Sequence, residues 1–137
     1  LDISGLFGAF MFGLFPIDSI ELKEAVDTYR SELMKDSQIG IPRFENDGYR
    51  YTNGASTGNW WFITTLWMAQ YYIELGDQAK AKAILDWVGQ HSPKTMMIAE
   101  QVNPLDGRSI SPSPLTWSQA EYVATLLDTI PAPEELE

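Results

Sequence analysis

The 137-residue chain has no cysteine and a single histidine, and this scarcity removes several kinds of chemistry. Without thiols it can form neither disulfides nor zinc–thiolate sites, and it has no cysteine nucleophile. His91 follows a helical pattern, where a partial positive charge is favourable, so we expect it to cap that helix rather than to catalyse. The lack of cysteine leaves the compartment undecided, and we expect a soluble protein with a slight preference for the cytoplasm.

Basic residues are also scarce, since 9 Lys and Arg face 19 Asp and Glu, and the net charge is −10. This charge repels nucleic-acid phosphates and anionic membrane surfaces, so we predict neither partner, whereas a neutral ligand remains compatible. The apolar residues 3–15 are too few to span a bilayer core of about 30 Å and are predicted to form a buried helix. Residues 103–109 lack the spacing of a calcium-binding EF-hand, and we expect no metal and no cofactor.

Helical periodicity and helix-end signals recur along the chain. Pro16 is expected to end the first helix, and Asp18 with Glu21 has the spacing of a capping box for the second. Gly76 is expected to end the most apolar helix, and Asp77 to cap the next one. The predicted helices cover residues 3–15, 19–34, 60–75, 77–90 and 116–129.

No segment alternates polar and apolar residues over more than a few positions, so the pattern predicts an all-α fold. Antiparallel helix pairs joined by long polar loops are typical of helical toroids and solenoids, in which the loops gather at one end. Residues 37–59 and 91–115 are such loops and contain aromatic side chains. We therefore expect the functional residues in these two loops.

Four segments of these loops carry a more specific signal. They read RFEND at 43–47, GNWWF at 58–62, AEQV at 99–102 and LTWS at 115–118. In this order they resemble the glycoside hydrolases of family 15, the glucoamylase-like enzymes. Trp60 departs from the resemblance, because the family usually has a proline there that suits a first helical turn. Extra residues at 52–57 are a second departure.

The resemblance implies an inverting exo-acting glucosidase built on an (α/α)6 toroid of twelve helices. Residues 1–137 would be the C-terminal portion of that catalytic domain, a partial toroid with a frayed tail at 131–137. The chain begins with Leu1 inside an apolar segment, and we expect it to be a piece of a longer protein. The implied substrate is an α-glucan oligosaccharide cleaved at its non-reducing end, and the linkage stays open between the starch, dextran and trehalose types.

Glu100 matches the position of the family's general base, and the implied general acid would lie upstream of Leu1. The isolated chain is therefore expected to be inactive. Arg43 matches the family's sugar-binding arginine, with Glu45 and Asp47 as acceptors for sugar hydroxyls or for Arg43. The resemblance also implies supporting or binding roles for Trp61, Gln101, Ser111 and Trp117, with the Ser111 hydroxyl donating to Glu100.

Two other interpretations remain open at this point. The chain could be a non-catalytic helical module that binds carbohydrate or protein, although the retained Glu100, Ser111 and Trp117 set argues against it. It could also be a helical repeat scaffold, but no fixed 34-residue period supports that hypothesis. Because an incomplete toroid would expose an apolar flank, we also expect self-association through that flank.

Overall fold

The computed structural model of the chain describes residues 1–130, and its architecture is helical. The expected frayed tail at 131–137 lies outside the described residues. The all-α prediction is confirmed, with one small sheet in addition. The helices are α1 Ile3–Met11, α2 Ile20–Leu33, α3 Phe62–Glu74, α4 Gln78–His91 and α5 Thr116–Asp128, and the strands are β1 Trp60–Trp61, β2 Gln101–Val102 and β3 Ser109–Ile110.

The first helix ends at Met11, four residues before the predicted end at residue 15. Gly13 adopts a left-handed backbone with φ of 63°. Its N–H donates to the carbonyl of Phe10, and the next N–H, from Leu14, donates back to Ala9. This pair of bonds is the usual glycine-terminated helix end. The prediction that Pro16 ends the helix was wrong because this glycine stops it first.

The second helix has a different cap from the predicted one. The hydroxyl of Ser19 accepts a hydrogen bond from the Leu22 N–H at 3.3 Å, so Ser19 is the capping residue and the prediction for Asp18 was wrong. The cap predicted for α4 is confirmed, since the Asp77 carboxylate accepts from the Lys80 N–H at 3.1 Å. Each cap satisfies a backbone donor that has no partner within the helix.

The third helix is the centre of the molecule. It contacts α1, α4 and α5, while α2 packs on α1. Residues 62–72 are buried on every side of the helix, so its uniformly apolar sequence is explained by neighbours all around it. Gly76, with φ of 83°, ends α3 as predicted. The arrangement is a row of α1, α3 and α5, with α2 and α4 packed against it.

A three-stranded antiparallel sheet precedes the start of α3. Trp60 pairs with Val102, and β2 pairs in turn with β3. The prediction that α3 begins at residue 60 was wrong, because Trp60 and Trp61 are held by this pairing and the helix begins at Phe62. The sequence departure at Trp60 thus falls in a strand. Its ring packs so closely on Gly40 that an added Cβ there would lie 2.6 Å from it.

The helices of residues 1–130 are all too short or too polar to cross a membrane.

Candidate active site

The starts of three helices surround one cavity. Ser4 of α1, Thr64 of α3 and Trp117 of α5 line it, together with Arg43 and Trp61. The cavity encloses about 280 Å³, close to the smaller ligand pockets of proteins, which begin at about 300 Å³. The first turns of these helices lie at this end of the row, and their partial positive charge favours oxygen-rich ligands.

Arg43 is held in a fixed orientation at the edge of this cavity. Its Nε and Nη2 each donate to one oxygen of the Asp47 carboxylate at 2.8 Å. Its guanidinium carbon lies 3.9 Å above the ring of Trp61. Hydrogen bonding to Asp47 raises the pKa of Arg43, and the negative charges of Asp47 and Glu100 act in the same direction. Within residues 1–130, the Nη1 amino group has no acceptor and is left to bind a ligand.

The two predicted acidic acceptors have different positions. Asp47 is 2% exposed, and besides Arg43 it accepts from the Tyr49 N–H at 3.0 Å, so its oxygens orient the arginine. Glu45 is exposed and contacts the amino group of Leu1 at 2.5 Å. The structure therefore brings Asp47 to Arg43, but it does not bring Glu45 there.

Glu100 lies directly before β2, and its backbone is anchored on both sides. Its N–H donates to the Pro112 carbonyl at 3.1 Å, and its own carbonyl accepts from the Phe62 N–H at 3.3 Å. The carboxylate is half-buried, and its Oε2 lies 3.4 Å from the Nε2 of Gln101. The sheet thus fixes Glu100 beside the first residue of α3.

The predicted hydrogen bond from Ser111 to Glu100 is absent. The Ser111 hydroxyl is buried without a hydrogen-bond partner among the described residues. Its backbone is left-handed, with φ of 73°, directly after β3, and the contact to the Glu100 segment is made by Pro112 instead. The donor to Glu100 is therefore Gln101, which was also predicted as a supporting residue.

Gln101 is hydrogen-bonded to Asn59, a residue for which the sequence predicted no role. Its Oε1 accepts a hydrogen bond of 2.7 Å from the Nδ2 of Asn59, and both side chains are buried. The signal available in the sequence was the polar residue just before an apolar helix, in the GNWWF segment. The hydrogen bond joins residues that are 42 positions apart in the sequence, so no local pattern could reveal it.

Trp117 lines the same cavity as Arg43. It is 52% exposed, and its indole N–H donates to Glu121 at 3.0 Å. Its ring centroid lies 6.0 Å from that of Trp67, which stacks in turn on Phe7 at 4.4 Å. Trp61, Trp67 and Trp117 all line the cavity, and of the three only Trp117 is exposed.

No cluster of three or more histidine, aspartate or glutamate side chains within residues 1–130 could hold a metal ion.

Comparison with known proteins bears on what this site does. The family model for glycosyl hydrolases of family 15 matches residues 75–127, which include Glu100, Gln101, Ser111 and Trp117. An uncharacterized glycosyl hydrolase from Methanocaldococcus jannaschii is 30% identical over 90% of the chain. Over residues 75–127 the chain is therefore similar to the family 15 glycosyl hydrolases. It spans 21% of the length of that archaeal relative.

Solved glycosidase structures share the fold of this chain. A wild-type glycosidase superposes with a TM-score of 0.77 and 22% identity, covering 93% of this chain and 35% of its own. A variant of a glycosidase in complex with glucose superposes with a TM-score of 0.76 and 21% identity over the same shares. The chain thus shares its helical fold with about a third of a glycosidase.

Proposed function

We propose that this chain supplies the general-base side of the active site of an inverting, exo-acting glycosidase that releases glucose from α-glucans. The observation that carries the proposal is the position of Glu100. This half-buried carboxylate is fixed beside the start of α3 and accepts a hydrogen bond from Gln101. Its negative charge also helps to raise the pKa of Arg43. The family relationship makes hydrolysis of a glycosidic bond the relevant chemistry.

Inversion requires two carboxyl groups with different tasks. One protonates the leaving oxygen, and the other takes a proton from a water on the opposite face of the sugar, with about 6.5–9.5 Å between them. Glu100 is suited to the second task because its backbone is anchored on both sides and the Gln101 amide can orient its carboxylate. Asp47 is not available as the acid, since Arg43 occupies both of its oxygens.

The general acid would therefore come from sequence beyond these 137 residues, and we expect the chain on its own to be inactive. The row of α1, α3 and α5 would form part of the inner layer of an (α/α)6 toroid, with α2 and α4 in its outer layer. The similar proteins are long enough to supply the remaining helices of such a toroid, because the chain covers 35% of a solved glycosidase and 21% of the Methanocaldococcus jannaschii protein.

The substrate proposal rests on the cavity. The Nη1 group of Arg43 can donate to neighbouring sugar hydroxyls, and Trp61 and Trp117 can cover the apolar C–H face of a pyranose ring. The low number of cations suits a neutral sugar better than an anionic one. The glucose-bound glycosidase with the same fold supports glucose as the unit to be tested first.

The test is glucose release from maltotriose by the full-length protein that carries this sequence. We expect Glu100→Gln to lower kcat by about 10²–10⁴-fold, because a lost general base typically costs this much. Proton NMR of the first product should show β-glucose, the inverted anomer. Glu74→Gln, the same change in an exposed residue at the other end of α3, should leave kcat unchanged. Equal rates for Glu100→Gln and wild type would rule out the base assignment.

A further inference from the structure

The side-chain amide of Asn59 has only one orientation that satisfies its neighbours. Its Oδ1 accepts from the Thr52 N–H at 3.1 Å, and its Nδ2 donates to the Arg50 carbonyl at 2.7 Å. A backbone N–H can only donate and a carbonyl can only accept, so turning the amide over would create two repulsive contacts. Asn59 is 1% exposed, and water cannot take the place of these partners.

This fixed orientation determines that of the next amide. The second hydrogen of the Asn59 Nδ2 points to Gln101, which must offer its Oε1 as the acceptor at 2.7 Å. The other end of the Gln101 amide, Nε2, is thereby directed to the Glu100 Oε2 at 3.4 Å. If Gln101 were reversed, its oxygen would face the carboxylate, and two acceptors would repel each other. The distance of 3.4 Å is long for a hydrogen bond, as catalytic contacts often are before substrate binds.

We propose that Asn59 is a positioning residue for Glu100: it holds Gln101 so that a donor, never an acceptor, faces the carboxylate. The inference rests on the proposed function of Glu100 as the base. The inference also assigns a structural role to the extra residues 52–57, because the Thr52 N–H fixes the orientation of Asn59. The loop that contains Arg43 is thereby connected to Glu100, because the Arg50 carbonyl and the Thr52 N–H hold Asn59.

The extra segment is itself attached to the end of α2. Ser56 donates to the Asp36 carboxylate through its backbone N–H at 2.6 Å and through its hydroxyl, and Thr57 donates to the Leu33 carbonyl at 3.0 Å. The Thr52 N–H therefore belongs to a loop that is tied down at its far end. A loop held in this way can define the orientation of a buried amide.

The variant that tests the inference is Asn59→Asp. It keeps the size and the acceptor for Thr52, but it replaces the donor to Gln101 and to the Arg50 carbonyl with a second oxygen. Gln101 is expected to turn over, and the Arg50 carbonyl loses its partner, which is a structural cost that the activity of the Gln101→Met background also contains. In the full-length protein, we expect kcat to fall about 10–100-fold with KM changed less than about 2-fold, as for other supporting residues of active groups.

Asn103→Asp is the matched control, because it is the same chemical change in the Glu100 loop. The Asn103 side chain accepts from the Leu105 N–H and donates to no described residue, so we expect wild-type kcat and KM. In a Gln101→Met background, Asn59→Asp should lower kcat by less than about 2-fold, because interacting residues are non-additive. A full additional loss in that background would overturn the inference.

A second measurement needs no activity. In the isotope-labelled full-length protein, nuclear Overhauser effects from the Gln101 side-chain NH2 should reach the Glu100 side-chain protons in wild type and the residue 59 side-chain protons in Asn59→Asp. An unchanged pattern in the variant overturns the inference. If Asn59→Asp does not fold, Asn59→Ala takes its place and should leave the Gln101 NH2 without a single preferred contact. A wild-type pattern there also overturns it.

The two measurements separate this inference from the proposed function. If Glu100→Gln leaves glucose release unchanged while the NH2 contacts switch, the amide orientation is established and the base assignment fails. If Glu100→Gln abolishes release while Asn59→Asp changes neither kcat nor the contacts, the base assignment stands and Asn59 has only a structural role.

Discussion

Arg43 makes contacts that a lysine cannot reproduce. Two parallel hydrogen bonds of 2.8 Å join it to Asp47, and its planar group lies 3.9 Å from the Trp61 ring. Such a fork requires a guanidinium, because an ammonium donates from a single point. Asp47 is almost completely buried, and among the described residues only Arg43 donates to its Oδ2, so a lysine that cannot reach this oxygen would leave it without a partner.

We therefore expect Arg43→Lys to lower the free energy of unfolding by about 1–3 kcal/mol, the usual cost of leaving a buried polar group unsatisfied. Denaturant unfolding at an unchanged slope measures it. Arg108→Lys is the control: its side chain is 85% exposed and its nearest carboxylate oxygen is 4.0 Å away, so we expect no change beyond about 0.5 kcal/mol. An equal loss in both variants would contradict the role assigned to the fork.

At the scale of elements, a comparison of two glycines separates the effect of backbone conformation on stability from the effect of packing. Gly76 ends α3 with φ of 83°, and Gly89 lies within α4; a Cβ added at either one meets no atom within 4 Å. Packing is thus equal at the two sites, and only the backbone differs. A side chain is strained in the left-handed conformation, whereas inside a helix alanine is favoured over glycine.

We expect Gly76→Ala to destabilise the chain by about 1–2 kcal/mol and Gly89→Ala to stabilise it by about 0.5–1 kcal/mol. Thermal or denaturant unfolding of the two variants alongside wild type measures both changes. The same substitution should therefore move stability in opposite directions. A stabilised Gly76→Ala would show that α3 does not need the left-handed residue to end where it does.

The helices could be predicted from the sequence, but their ends and the sheet only in part. Gly76 and Asp77 act as expected because their partners are within five residues along the chain. Gly13 overrides Pro16, since whichever stop comes first ends the helix. The strands have two residues each, too short for an alternating pattern, and β1 exists only because Trp60 meets Val102 across the fold.

The residues of the candidate site could likewise be predicted from the sequence only in part. Arg43 and Asp47 are four residues apart, and their loop was expected to be functional, so their pairing is nearly local. Trp61 and Trp117 reach one cavity because α3 and α5 pack side by side, which the helical pattern alone does not specify. The support for Glu100 was assigned to Ser111, while the described donor is Gln101, held by Asn59. Long-range hydrogen bonds of this kind depend on tertiary structure.

At the scale of the whole molecule, both ends of the helix row expose apolar side chains. Phe12 and Leu14, at the end of α1, are 83% and 69% exposed, and Val123 and Leu127 of α5 are 54% and 60% exposed. On α5 these residues alternate with small ones that allow another helix to approach closely. That face consists of Thr116, Gln119, Ala120, Val123, Ala124 and Leu127.

The exposed α5 face and the net charge of −10 have opposite effects on association. Contiguous apolar surface favours contact between copies, whereas like charge opposes it and is screened by salt. We therefore expect the 137-residue chain to self-associate, and to do so more strongly as the salt concentration rises. Light scattering during gel filtration, at low and high salt, measures this.

The exposed face of α5 can be tested directly. Leu127→Glu places a charge in the apolar stripe, on a side chain that is 60% exposed. We expect it to shift the chain to a monomer at every salt concentration, because an unpaired charge is costly to bury in an interface. Lys82→Glu, on the 73% exposed side chain of α4, adds more negative charge away from the stripe and should leave most of the association in place. A monodisperse wild-type monomer at high salt would contradict the prediction. An equal effect of both variants would assign the association to net charge rather than to this face.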